Sequence, residues 1–83
     1  MPKRPALIPY RTASQFGRQI WTARDRMNLT QAELAKRAGV GLKFLYQLEH
    51  GKETLRMDKV MDVLEVLSIQ MVFLAQRSKS ETP

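Results

Sequence analysis

The chain contains no cysteine and a single histidine. The first absence excludes disulfides and thiolate metal sites, and one imidazole cannot build a ligand cluster. It also fits a reducing compartment. Long hydrophobic runs are missing as well. The longest, Met71-Val72-Phe73-Leu74-Ala75, is far below the roughly 20 residues that span a bilayer. The apolar stretch Ala6-Leu7-Ile8 near the start is shorter than the roughly 7–15 residues of a secretory signal. A cytoplasmic protein without a membrane partner is therefore expected. No catalytic set stands out: His50 has no cysteine or triad partner, and Asp58 and Asp62 share a helix face without a Gly-rich loop beside them. The reading is a non-enzyme with no cofactor, no metal and no small-molecule substrate.

What is present is a short chain with a strong charge bias. A domain of 83 residues buries only about 60–65% of its unfolded surface. The usual supports for so small a core are disulfides, a metal or oligomerisation, and only the last is left. Lys and Arg number 14 against 8 Asp and Glu, giving +6 and a polyanionic partner as the expectation. The excess is uneven. Residues 1–28 hold six basic groups and one acidic (+5), residues 29–56 five and three (+2), and residues 57–83 three and four (−1).

Residues 1–11 read as an extended basic arm. Pro2, Pro5 and Pro9 each hold the preceding residue out of the helical region, and Lys3, Arg4 and Arg11 supply charge. The arm is either a solvated tail or a contact for phosphate or a partner. Thr12-Ala13-Ser14-Gln15 has the form of a capping box. Phe16, Ile20, Ala23 and Met27 follow at helical spacing, predicting helix 13–27 closed near Asn28. Gly17 inside it marks a close helix–helix contact. A second capping box, Thr30-Gln31-Ala32-Glu33, opens helix 31–38 and Gly39 ends it. A third helix runs from Leu42 to His50 with Gly51 after it. Two short helices joined by Gly39-Val40-Gly41 make a helix-turn-helix. Residues 57–67 form a fourth helix, with Val60, Met61, Val63, Leu64 and Leu67 on a broad apolar face. The period then changes, and Ser68 to Ala75 fits a short strand; Gln76 to Pro83 is polar.

With Leu45 and Leu48 buried, Lys43, Tyr46, Gln47 and His50 project from the third helix. A helix fits the DNA major groove, where base pairs show distinct donor, acceptor and methyl patterns. Lys43 can donate to guanine, Gln47 can pair with adenine, and Leu42 can meet a thymine methyl. These are the expected base-reading residues: Leu42, Lys43, Tyr46, Gln47 and His50. Lys52, Thr54 and Arg56, just beyond, are placed for backbone phosphate. Lys36 and Arg37 are read as solvated charges.

The run Leu29-Thr30-Gln31-x-Glu33-Leu34-Ala35, then Gly39-Val40, then Leu48-Glu49-x-Gly51-Lys52, resembles the Cro/phage-repressor (XRE) family. One departure is Gly41, where the family usually places Ser or Thr as a cap. The resemblance implies an all-α, lambda-repressor-like bundle of four to five helices. It further implies that Gln31 clamps a phosphate, and that Thr30 either does likewise or serves as a plain cap. Arg24 and Glu49 match a pair that the family uses as a structural salt bridge. Trp21 departs from the basic or polar residue common there, suggesting packing on the arm, the C-terminal segment or a partner.

The helix followed by a hydrophobic strand resembles HipB-type antitoxins, in which the strand pairs across a two-fold axis. Residues 12–67 are then the DNA-binding domain, 68–76 a dimerisation strand and 77–83 a flexible tail. Ile69, Met71, Val72, Phe73 and Leu74 form the seam; the competing expectation is a tail folded back on its own helices. The resemblance implies a homodimeric repressor of a toxin–antitoxin operon on double-stranded DNA with a palindromic operator. A HipA-type kinase toxin and a further antitoxin subunit are the protein partners it allows. Two other classes stay open: an antitoxin subunit whose main task is holding a kinase, and a basic peptide that binds acidic protein or membrane through residues 1–11.

Overall fold

The computed structural model describes residues 11–72. Among these residues four helices form, α1 (Ala13–Arg26), α2 (Gln31–Ala38), α3 (Leu42–Glu49) and α4 (Met57–Val66). The boundaries follow from local chemistry. At α1 the Thr12 hydroxyl accepts from the Gln15 amide at 3.1 Å, and Gln15 Oε1 accepts from the amides of Thr12 and Arg11. Asn28 takes φ 55°, so the chain turns and the Leu29 amide reaches back to Arg24 O at 3.2 Å. At α2 the Thr30 hydroxyl accepts from the Glu33 amide, and Glu33 Oε1 accepts from the Thr30 amide at 2.8 Å. Those bonds to Thr30 hold the Glu33 carboxyl below its ordinary pKa, because they favour the ionised form.

Gly39, at φ 70°, ends α2 and sends Val40 back over it. Gly41 caps α3 in an extended conformation with no side-chain hydrogen bond. The last residue of three helices expected from sequence acts instead as a C-cap: Met27, His50 and Leu67. The core takes one stripe from each helix: Ile20 from α1, Leu34 and Ala35 from α2, Leu45 and Leu48 from α3, and Val60, Val63 and Leu64 from α4.

α1 crosses α3 with no room to spare. A Cβ on Gly17 would sit 2.4 Å from Leu48 O and 2.6 Å from Glu49 O, so only glycine admits this approach. Gly51, at φ +83°, lies against Ser14 and ends the helix that Gly17 touches.

After α4, Ser68 takes φ 57° and the Ile69 amide reaches Leu64 O at 2.9 Å. Ile69 and Met71 then pack on the core of their own chain, whereas Val72 is exposed. The alternation expected of a strand is present, but no strand is assigned among the described residues. Ile69 and Met71 are only partly buried by this packing, so the segment keeps apolar surface on both faces. Phe73 and Leu74, the arm 1–10 and the tail 77–83 lie outside the described residues. No helix among those described is long and apolar enough to cross a membrane.

Candidate nucleic-acid interface

The outward face of α3 carries the side chains that its buried face leaves over. Leu45 and Leu48 are fully enclosed, which directs Leu42, Lys43, Tyr46 and His50 into solvent and leaves Gln47 half-buried. Leu42 and Tyr46 are each 52% exposed, a high figure for side chains of this size. The Tyr46 and His50 rings stack with centroids 3.9 Å apart. His50 Nδ1 lies 2.8 Å from Tyr46 O, so that nitrogen carries a proton and donates. Nε2 is then an acceptor in the neutral ring and a second donor in the protonated one.

α3 is aimed by an ion pair beneath it. Arg24 Nε donates to Glu49 Oε2 at 2.7 Å, Arg24 Nη2 to Glu49 Oε1 at 3.0 Å, and Arg24 Nη1 to Leu29 O at 2.8 Å. The Glu49 side chain is 1% exposed. Its Oε1 also accepts from Gln31 Nε2 at 3.0 Å. One carboxylate thus ties α1, the start of α2 and the end of α3, and fixes the angle between the two helices of the motif. Such a fork is directional as well as strong.

Gln31 is the first residue of α2. Glu49 takes one of its amide protons, which leaves the second proton and Oε1 for another partner. The first-turn amides of Gln31 and Ala32 have no acceptor within the helix. The Thr30 oxygen is occupied by the cap, although its own proton is free to donate. Lys52 and Thr54 are exposed in the segment leading to α4. Arg56 is exposed too, but it is held by Asp58 at 2.6 Å and 3.1 Å. That contact depresses the Asp58 pKa and offsets part of the charge Arg56 would bring to a phosphate.

Of the residues expected in the interface and its salt bridge, four line concave surfaces. Gln31, Glu49 and His50 line one cleft of about 620 Å³ together with Ser14, Arg18 and Trp21 of α1. Lys52 lines a different groove, bordered by Phe16 and Met57. Arg18 and Trp21 were not expected in the site. Their signal is spacing: Ser14, Arg18 and Trp21 recur at i, i+4, i+7, the polar counterpart of the apolar stripe on α1.

A helix-turn-helix family profile matches residues 22–74, which take in Arg24 through α4 and leave Ser14, Arg18 and Trp21 outside. The chain belongs to the helix-turn-helix family of DNA-binding transcriptional regulators. Within this XRE-type family the chain is similar to the uncharacterized HTH-type transcriptional regulator y4mF of Sinorhizobium fredii (strain NBRC 101917 / NGR234). The two are 42% identical over 65 residues, which is 78% of this chain and 86% of that protein. Among solved structures, the HipA-HipB-O2-O3 complex matches at a TM-score of 0.76 with 18% identity, covering 86% of this chain and 100% of the matched one. The biofilm regulator SinR in complex with DNA matches at 0.61 with 25% identity, covering 66% and 89%. The fold is thus that of a helix-turn-helix regulator.

Proposed function

We propose that this protein is a dimeric, operator-binding repressor that acts as the HipB-like antitoxin and autorepressor of an operon encoding a HipA-type kinase. The observation that supports it most is the α3 face. Lys43 and Tyr46 stand clear of the fold, with the half-buried Gln47 between them, on a helix fixed at both ends of its motif by Arg24, Glu49 and Gln31. Exposed donors on a rigid helix are what direct readout in the major groove requires. Gln31, Lys52 and Thr54, with Thr30 and Arg56 beside them, border that face as phosphate contacts, which position the helix without reading bases.

A small core and a hydrophobic segment at residues 69–74 favour a two-fold dimer with that segment as the seam. A dimer then binds half-sites about 34–36 Å apart, or a multiple of that distance. Repression is steric: the bound dimer occludes the promoter of its own operon. The antitoxin part draws on the fold match to HipB, whose structure was solved with HipA, and a further antitoxin subunit is compatible with it.

Selection of bound duplexes from a random pool tests the DNA reading. A palindrome with half-sites separated by one helical turn or a multiple is expected; recovery of unrelated sequences would count against sequence-specific binding. Co-purification tests the antitoxin reading. A HipA-type kinase encoded beside the gene should be retained on tagged protein, and its absence from the eluate would leave a DNA-binding regulator alone.

A further inference from the structure

We propose that the cleft between α1 and the start of α2 seats a backbone phosphate of bound DNA, with Arg18 and Trp21 as its α1-side contacts. This rests on the DNA-binding reading and extends the interface to a helix outside the helix-turn-helix. The cleft is lined by Ser14, Arg18, Trp21, Gln31, Glu49 and His50. Its only carboxylate is spent: Glu49 accepts from Arg24 twice and from Gln31 once. Arg18 is exposed and forms no ion pair among the described residues. The remaining groups include four donors, the Ser14 hydroxyl, the Trp21 indole N–H, the second Gln31 amide proton and the Arg18 guanidinium, beside the uncharged Gln31 Oε1 and the His50 ring. Donors converging from two helices on a space with an uncompensated positive charge suit an anion with several acceptor oxygens.

Position selects which anion. Gln31 begins the helix that precedes α3, and His50 closes α3 at the end of the reading face. A duplex laid on Lys43, Tyr46 and Gln47 therefore passes over this cleft with its sugar–phosphate strand. Trp21 is 46% exposed, and a deoxyribose against its ring would shield it while the indole N–H meets the phosphate.

Trp21 is the only tryptophan in the chain, so its fluorescence reports on the cleft without a label. The experiment titrates full-length protein with the duplex recovered by random-pool selection and with an unrelated duplex of equal length, at several salt concentrations. Acrylamide quenching of Trp21 should fall when either duplex binds. Arg18→Gln should weaken both duplexes alike by about tenfold, keep the same base preference, and reduce the slope of log affinity against log salt by about 1. Arg18→Lys should recover most of the slope. An unchanged melting curve for Arg18→Gln ensures that folding is not the cause. If the wild type binds DNA but Arg18→Gln keeps its affinity and slope, or Trp21 quenching does not change on binding, the phosphate cleft is wrong while the DNA reading stands. If the wild type binds neither duplex, both fall.

Discussion

Glu49 holds the motif together at the residue scale. Three hydrogen bonds converge on a carboxylate that is 1% exposed. Removing one partner of a buried pair costs about 3–5 kcal/mol, because the other charge is left uncompensated. Glu49→Ala is expected to lower the thermal midpoint by 10 °C or more, at about 4–8 °C per kcal/mol for a domain of this size. Circular dichroism melts check this, and an unchanged midpoint would show that the pair does not support the fold. Gly17 gives a second expectation of the same sign. Its approach to Leu48 O and Glu49 O is backbone against backbone. Alanine's helix propensity is worth about 1 kcal/mol, but the overlap forces α1 away from α3. Gly17→Ala should be net destabilising by about 2 kcal/mol, read from urea denaturation. A gain in stability would contradict the tight crossing.

Residues on the α3 face should separate by what they touch. Replacing Lys43 or Gln47 by alanine is expected to cost about 1–3 kcal/mol on the preferred sequence and to relax base preference at one position. Lys52→Ala should weaken all duplexes alike and reduce the salt slope by about 1. Gel-shift titrations on matched and mismatched duplexes distinguish the two patterns.

At the scale of elements, the helices were legible because their ends are written in local chemistry. The two capping boxes and the glycines at 39 and 51 fix boundaries through hydrogen bonds within a few residues, and the structure places α2 at Gln31–Ala38 as the sequence implied. The departure at Gly41 has an energetic consequence. α3 begins without a side-chain cap, Gly41 sits at φ −73°, and a Cβ there would meet nothing within 4 Å. Gly41→Ser is therefore expected to stabilise by about 0.5–1 kcal/mol, by adding a cap and stiffening the unfolded chain. A lower thermal midpoint would mean that the open space is used by something else. The cleft on α1 was not legible in this way. Ser14, Arg18 and Trp21 reveal a face only once the crossing angle of α1 is known, and that angle depends on Gly17 meeting a carbonyl far away in sequence.

At the scale of the whole molecule, a chain of 83 residues without cysteine has a single small core and no disulfide to support it, which makes association the natural supplement. Most core residues were readable from periodicity because each helix contributes one stripe. Met27 and Met61, expected on those stripes, are exposed: Met27 caps α1 beyond its last turn, and Met61 lies about 100° around α4 from Val60. The C-terminal segment was less so: alternation at Ile69, Met71 and Val72 indicates an extended strand, but not which chain covers it. Ile69 and Met71 are partly buried on their own chain and Val72 is exposed. Truncation after Val72 keeps Ile69 and Met71 and removes Phe73 and Leu74 from the expected seam. Light scattering should then report a monomer where the full chain is a dimer, and an unaltered dimer would place the seam elsewhere. The charge of +6 acquires a location as well, since Arg18, Lys43 and Lys52 lie on or near the face of α3 while residues 57–83 are slightly acidic.

The central claim is that the exposed face of α3 reads DNA. The most direct test repeats the random-pool selection with Gln47→Ala beside the wild type. Preference should collapse at one symmetry-related position in each half-site while spacing and the remaining positions persist. An identical motif from both proteins would contradict it.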